Sequence, residues 1–312
     1  MSHLPGVDVI GDYAGHAPRR RILVIHNPTA GSSARSQLRR FVEFLSEDGA
    51  EVTVRATSGP GDATAIARAA GDEAWDAIVA AGGDGTVNEI VNGLGPNSPS
   101  LGILPLGTAN VLALELGLPM AAATAARLVA RGNARQLHFP SIERCRFVMM
   151  AGVGFDARVV DAVGSSGLKR RFEKLAYVWQ AVTGLSRFSH ALFSVEIDGA
   201  SHTVASAIVA NGRYYGGRFI CAPDARLDSP NLHVCLFAGN GAWDTVRYAV
   251  AMVLGRLHRT PDVRIVIGRS IRITGDAGEP VQADGDIVAR LPVHITADSV
   301  RLSVICPEPV PR

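Results

Sequence analysis

Three glycines within four residues, Gly82-Gly83-Asp84-Gly85, separate an unbroken apolar run from a stretch of helical periodicity. The run Ala77-Ile-Val-Ala-Ala81 reads as a buried strand, and Val87, Ile90, Val91 and Leu94 recur on one side of a helix. Such a junction is what an open α/β sheet needs to bind a ligand beyond the carboxyl ends of its strands. Glycines let the backbone approach a phosphate closely, and the helix N-terminus favours its negative charge. Thr86 adds a hydroxyl donor. Asp84 is an acceptor that holds Mg²⁺ through water, positions the turn, or caps the helix. A plain strand–helix turn does not need three glycines, so the loop reads as phosphate-binding.

The flanking sequence repeats the alternation. Arg21 to His26 is a short apolar strand ending at Asn27-Pro28, and Leu38, Phe41, Val42 and Leu45 mark a helix stopped by Gly49. Val52 to Val54 and Leu101 to Leu104 are further strands, while Asp62 to Ala70 and Ala109 to Leu116 read as helices. This order implies a parallel sheet covered by helices. Two more polar segments fall at strand ends: Asn27-Pro28-Thr29-Ala30-Gly31, and Gly107-Thr108-Ala109-Asn110. With Thr57 after the second strand, small polar groups ring four neighbouring strand ends, a fitting cradle for one nucleotide.

Near residue 135 the pattern changes. Phe147 to Met150, Leu192 to Ile197, Thr203 to Ala210, Leu232 to Phe237, Val263 to Ile267, Ile271 to Thr274 and Val293 to Ile295 are short, often β-branched runs. They predict a largely antiparallel second domain, with helices over Phe172 to Leu185 and Trp243 to Leu257. The division is therefore an α/β domain over 1–134 and a β-rich domain over 135–297. A length of 312 residues suits two domains, and a net charge of +2 gives no reason to expect a nucleic-acid partner. The four cysteines, Cys145, Cys221, Cys235 and Cys306, have no metal-site spacing and read as reduced thiols of a cytoplasmic protein. The N-terminus lacks the n- and h-regions of a secretory signal, and no apolar run reaches membrane-spanning length.

Seven segments in order carry a resemblance: NPTAG at 27–31, GGDGTVNE at 82–89, PLGTAN at 105–110, GVGFDA at 152–157, NGRYYGG at 211–217, APDARLD at 222–228 and QADGD at 282–286. Together they resemble the diacylglycerol-kinase catalytic family, which includes bacterial lipid kinases, sphingosine kinases and ceramide kinases. The resemblance implies a phosphofructokinase-like nucleotide domain with helices on both faces of a parallel sheet, and a β-rich lipid domain. It also implies a terminus, from about residue 298 to 312, that returns to the first domain. ATP with Mg²⁺ is the implied cofactor pair. By resemblance the nucleotide contacts are Asn27, Pro28, Thr29, Ala30, Gly31, Thr57, Gly82, Gly83, Asp84, Gly85, Thr86, Val87, Asn88 and Thr108. Asp84 is the residue tied to the metal, and Asp286 takes the place of the catalytic base.

Asp284-Gly285-Asp286 stands where the family usually has Asp-Gly-Glu, and an Asp-Gly pair is also a common hairpin turn. Val111 and His138 occupy positions that are usually acidic, and Ser229 stands where some bacterial members bind a structural Mg²⁺ through Asp. Asp156 is either a replacement carboxylate or a loop cap. The stretch Lys169 to Phe188 mixes basic and aromatic residues, as a peripheral membrane surface or a solvated helix face would. The expected partner is a membrane lipid, with a homodimer left open. Two rival readings are a soluble kinase of the NAD-kinase or phosphofructokinase type and a non-catalytic binding relative.

Overall fold

The computed structural model describes residues 17–28, 31–165 and 192–308. Thr29, Ala30, the predicted helix Phe172 to Leu185 and the stretch Lys169 to Phe188 lie outside the described residues.

In the first half, strands β1 (Arg21–His26), β2 (Glu51–Ala56), β3 (Ala77–Gly82) and β4 (Ser100–Pro105) alternate with helices α1 (Ser32–Glu47), α2 (Asp62–Ala70) and α3 (Asp84–Gly93). The strands are parallel in the order β2-β1-β3-β4. The chain steps outward from β1 to β2, then returns across β1 to β3 and on to β4. Right-handed crossovers put α1 on one face and α2 and α3 on the other. The contacts agree: α2 packs on α3, and α1 packs on α5 (Ala122–Arg131). β3 is buried along its whole length, as its unbroken apolar run requires.

The register makes the four strand ends flush. His26 pairs with both Ala56 and Ala81, and Gly82 pairs with Pro105. The direction of the chain reverses between β1 and β3, so this pair forms the switch point where such sheets bind ligands.

Beyond α4 (Val111–Leu116) and α5, the same sheet continues in antiparallel form. Strand β5 (Ala134–Ile142) pairs with the last strand, β18 (Val293–Ile305), from Ile142 opposite Ile295 to Ala134 opposite Ile305. β18 also pairs with β15 (Ser270–Thr274), and its Val304 lies parallel to Leu101 of β4. The nucleotide-side sheet and one layer of the β-rich half are thus one ten-stranded sheet, completed by β6 (Cys145–Arg146), β8 (Phe193–Ile197) and β9 (Ala200–Val204).

The second layer has six strands. It comprises β7 (Met150–Val153), β10 (Ser206–Ala210), β13 (Leu232–Phe237), β14 (Val263–Gly268), β16 (Pro280–Ala283) and β17 (Asp286–Arg290). Val153, Val209, Val234 and Val281 of this layer and Phe193, Ile271 and Ile295 of the other join in one core. A small hairpin, β11 (Tyr214–Tyr215) with β12 (Phe219–Ile220), stands apart from both layers. Two α-helices, α6 (Phe155–Ser165) and α7 (Ala242–Val253), and a short 3-10 turn, Leu257–Arg259, complete the described elements.

Two expectations are corrected here. The run Thr203 to Ala210 is two strands rather than one. It breaks at Ala205, whose N–H donates to the Phe237 carbonyl, and its halves enter different sheets. The strand expected over Phe147 to Met150 begins only at Met150. The amides of Val148, Met149 and Met150 all point to the Asp284 carboxylate.

Candidate active site

The glycine loop after β3, expected to bind phosphate, is built by close approach of two backbones. A Cβ on Gly107 would lie 2.5 Å from Gly83 Cα, so each of these glycines excludes a side chain on the other. Leu106 N–H donates to the Gly82 carbonyl at 2.9 Å. The Thr86 side chain folds back over Gly82 and fills the space a Cβ would take there. Gly85 differs: it is exposed, and a Cβ on it would meet nothing within 4 Å. The open side of the loop lies at the first turn of α3, where the helix N-terminus attracts an anion.

Asp84 ties this loop to the next one. Its Oδ1 accepts the Val111 N–H at 2.6 Å, and the neighbouring amides of Asn110 and Leu112 also bear on it. Burial raises its pKa and these amides oppose the rise. Asp84 thus serves the N-terminus of α4, although it sits at the start of α3. This explains how α4 begins with the apolar Val111 where an acidic residue is usual. Asn110 closes the loop by accepting from Gly107 N and donating to Gly107 O, with its own backbone left-handed at φ 48°.

The other expected nucleotide residues divide in two. Asn27, Pro28 and Gly31 lie between β1 and α1, and Thr57 follows β2 with its N–H on the His26 carbonyl. Thr108 is exposed on the loop after β4. These surround the switch point. Val87 and Asn88 turn elsewhere. The Val87 side chain is buried in the core and its amide continues the helix. Asn88 donates from Nδ2 to Asp284 Oδ2 at 2.9 Å, across the domain junction.

The Asp-Gly segment is a hairpin turn. Ala283 pairs with Asp286, and the two residues between them have positive φ, 48° at Asp284 and 92° at Gly285. This is the two-residue turn that Asp-Gly favours. Asp284 is its anchor. Besides Asn88 it accepts the amides of Val148, Met149 and Met150 at 2.6 to 3.1 Å. Burial raises its pKa and the four donors resist that rise. Asp286 emerges exposed on the other side of the turn, at the start of β17. Both aspartates push the Cys145 thiol up, after burial itself.

Asp156 sits behind the turn, at the start of α6. It accepts the Tyr215 hydroxyl and, at 2.6 Å, Gln282 Nε2, while Gln282 Oε1 accepts Gly285 N–H at 2.9 Å. It is buried, and that burial raises its pKa above the ordinary value. Asp156 is thus a buried support for the turn rather than a free carboxylate. The signal for this role is present in the sequence, in the Gln two residues before Asp284. A second link is less legible. Arg146 donates to the carbonyls of Val91 and Leu94 at the end of α3, and its own amide donates to Asn92.

The segment around Ser229 is closed on itself. Ser229 N–H donates to the Arg226 carbonyl, and Asn231 N–H to Ser229 Oγ. Asp228 is held at 2.6 Å by Arg135 and at 3.0 Å by Arg226. His138 stays half-buried in β5, its carbonyl accepting Asn211 Nδ2 at 2.9 Å.

Comparison with known proteins decides the family. The model described as diacylglycerol kinase catalytic domain matches residues 21–142. The one described as YegS C-terminal NAD kinase beta sandwich-like domain matches 149–306. The chain belongs to the diacylglycerol kinase family. This kinase is 29% identical to the diacylglycerol kinase of Bacillus subtilis (strain 168), over 93% of the chain and 97% of that protein. It is 36% identical to a Pseudomonas aeruginosa protein named "Probable lipid kinase YegS-like", over 69% of the chain and 71% of that protein. A crystal structure of a diacylglycerol kinase from Bacillus anthracis str. Sterne superposes with a TM-score of 0.73 at 24% identity, covering 94% of this kinase and 98% of that chain. The first match includes β5, which the division at residue 135 assigned to the second domain. With both halves matching lipid kinases, the small-molecule-kinase and non-catalytic readings are set aside.

Proposed function

We propose that this lipid kinase transfers the γ-phosphoryl group of ATP to a hydroxyl of a membrane lipid of the diacylglycerol, sphingoid-base or ceramide type. The observation that carries the reading is the bond between Asn88 and Asp284. It links the turn bearing Asp286 to the helix that starts at the phosphate loop, about one helical turn from the loop itself.

The phosphates fit the loop. Gly83 and Gly107 bring two backbones together, Gly85 leaves open space, and the α3 N-terminus supplies unpaired amides. Among the described residues no group of three or more His, Cys, Asp or Glu is arranged to hold a metal. Mg²⁺ would be carried in with the nucleotide, and Asp84 is the carboxylate that would help hold it, as such sites commonly use one or two carboxylates. When bound there it would neutralise charge on the transferred group.

Asp286 accepts the proton of the lipid hydroxyl as its oxygen attacks the γ-phosphorus in line, and the ADP oxygen leaves. Asp284, through its four donors, and Gln282, through the Gly285 amide, both hold the turn, so the carboxylate is positioned before substrate arrives. The amides of the loop are aimed at the developing charge. Among the described residues no helix is long and apolar enough to cross a membrane. In the proposed reading the kinase works from the cytoplasm as a peripheral protein and takes its substrate from the bilayer surface. Incubation with γ-labelled ATP and a panel of diacylglycerol, sphingoid bases, ceramide and phosphatidylglycerol tests the reading. A labelled lipid is the expected result; label on none of them, with an intact ATP site, would overturn it.

A further inference from the structure

Helix α7 presents an apolar stripe to solvent. Trp243 is 85% exposed, Val250 52%, Val253 63% and Leu254 62%. Trp243, Val250 and Leu254 stand at i, i+7 and i+11, on one side of the helix. The opposite side carries Tyr248, which is buried and packs against Phe237 in a tilted arrangement with ring centroids 5.1 Å apart. The helix is therefore seated on its own domain through one face, and the stripe is not part of that core. Beside it, Phe219 of β12 is 40% exposed, next to the exposed Arg218.

Among the described residues, the charges beside the stripe that are left without an ion pair are cationic. The two nearby carboxylates, Asp244 and Asp262, are both engaged by Arg247. Arg256 and Arg259, exposed just past the end of the helix, make no ion pair among the described residues. His258 lies exposed between them.

We infer that this face of α7, with its arginine-bearing end, docks the kinase on an anionic phospholipid bilayer. The inference rests on the membrane-lipid reading above and names the surface that serves it. An apolar stripe bordered by cations, with a tryptophan at the boundary, is the composition of a helix lying in a bilayer interface. A second copy of the chain fits less well, because it would bring the same cationic end and, among the described residues, no unpaired carboxylate to meet it. Residues 166–191 fit less well too, since they carry five basic residues against one acidic. The patch is also joined to the site. α7 packs on β12, which pairs with β11; in that hairpin Tyr214 N–H donates to Glu115 of α4, the helix capped by Asp84, and Tyr215 donates to Asp156.

The test uses the full chain and vesicles of phosphatidylcholine with and without phosphatidylglycerol. Wild type should sediment with the anionic vesicles and be released by salt. Trp243→Ala, and separately Arg256→Glu with Arg259→Glu, should each weaken vesicle binding by roughly tenfold. Activity on a short-chain lipid dispersed in detergent should stay at the wild-type level in every variant. Equal vesicle binding by wild type and both variants overturns the inference. So does a Trp243→Ala protein that loses a dimer by light scattering while its vesicle binding is unchanged. If Trp243-dependent binding is seen but no lipid is phosphorylated in vesicles or detergent, the docking surface stands and the proposed reaction falls.

Discussion

Asn88 and Asp284 are 196 residues apart in sequence and 2.9 Å apart in space, joined by an amide-to-carboxylate hydrogen bond. That bond couples the phosphate-loop helix to the hairpin turn that carries Asp286. Asp284, the first member of the Asp-Gly-Asp triplet, therefore holds the turn in place, and the third member, Asp286, is the one proposed to take the proton. Asp284→Ala should strip the acceptor from three backbone amides at once. Each buried unsatisfied donor costs about 1–3 kcal/mol, so a loss of roughly 3 kcal/mol or more is expected in urea unfolding. Asn88→Ala, which leaves those amides paired, should cost about 1–2 kcal/mol and lower kcat more than it raises the KM for ATP.

Gly83 and Gly85 separate the two demands on the loop. A side chain at Gly83 would meet Gly107 Cα at 3.2 Å, so Gly83→Val disturbs the fold as well as the ligand. At Gly85 there is open space. Alanine there should raise the melting temperature slightly, because glycine in a helix costs about 0.5–1 kcal/mol relative to alanine, and valine should weaken ATP binding without unfolding the protein. Calorimetry showing full ATP affinity in a folded Gly85→Val variant would remove the phosphate from this loop.

Asp286→Asn keeps the shape of the side chain but cannot take a proton. It should lower kcat by about 10²–10⁴ while ATP binding stays near normal. Asp286→Glu restores the carboxylate on a longer arm and should be partly active. Because Asp286 is outside the two central turn positions, neither variant should unfold the hairpin. Steady-state kinetics with wild-type kcat in the Asn variant would show that the proton leaves another way.

Burial raises the pKa of Asp156 above its ordinary 3.8. Its folded-state pKa thus exceeds the unfolded one, so the folded protein binds more protons between them. The contribution is favourable below the unfolded pKa and fades as pH rises through the folded one. Asp156→Asn should flatten the fall in unfolding free energy above pH of about 4. Gln282→Glu should do the reverse, placing a second carboxyl against Asp156, so that kcat falls as pH rises and the shared proton is lost. A Gln282→Glu enzyme with the wild-type pH profile would disconnect this pair from the turn.

Asp228, gripped by Arg135 and Arg226, stands beside Ser229, the position where the resemblance raises the question of a structural Mg²⁺. Chelation in the absence of nucleotide should leave the melting temperature unchanged. Asp228→Ala should lower stability by about 1–3 kcal/mol, since hydrogen bonds to charged groups are worth about that much. A clear loss of melting temperature with EDTA alone would mean that a metal is held there after all.

The nucleotide half is legible in the sequence because its strands are continuous apolar runs and its loops are glycine-rich. Both signals are local. The β-rich half is less so. Nothing in Thr203 to Ala210 shows that the chain changes sheets at Ala205, because each half keeps an ordinary strand composition. The segment Phe147 to Met150 is apolar enough to be a strand, and only the distant Asp284 takes its amides. The site divides in the same way. The loop residues follow from their motif, whereas the grip of Arg146 on α3 and the service of Asp84 to α4 depend on which loops become neighbours.

The ribbon formed by β5 and β18 has a mechanical consequence. It runs from the β-rich half, where Ile142 meets Ile295, to the nucleotide half, where Val304 lies beside Leu101. Closing the two halves on a substrate therefore cannot be a swivel about a slack tether; it must bend a paired two-stranded beam. The register shift between Thr296 and Val300 interrupts that beam along its length, where it offers the least stiffness. Any closure of the two halves would therefore flex this paired ribbon, most readily where its register shifts between Thr296 and Val300.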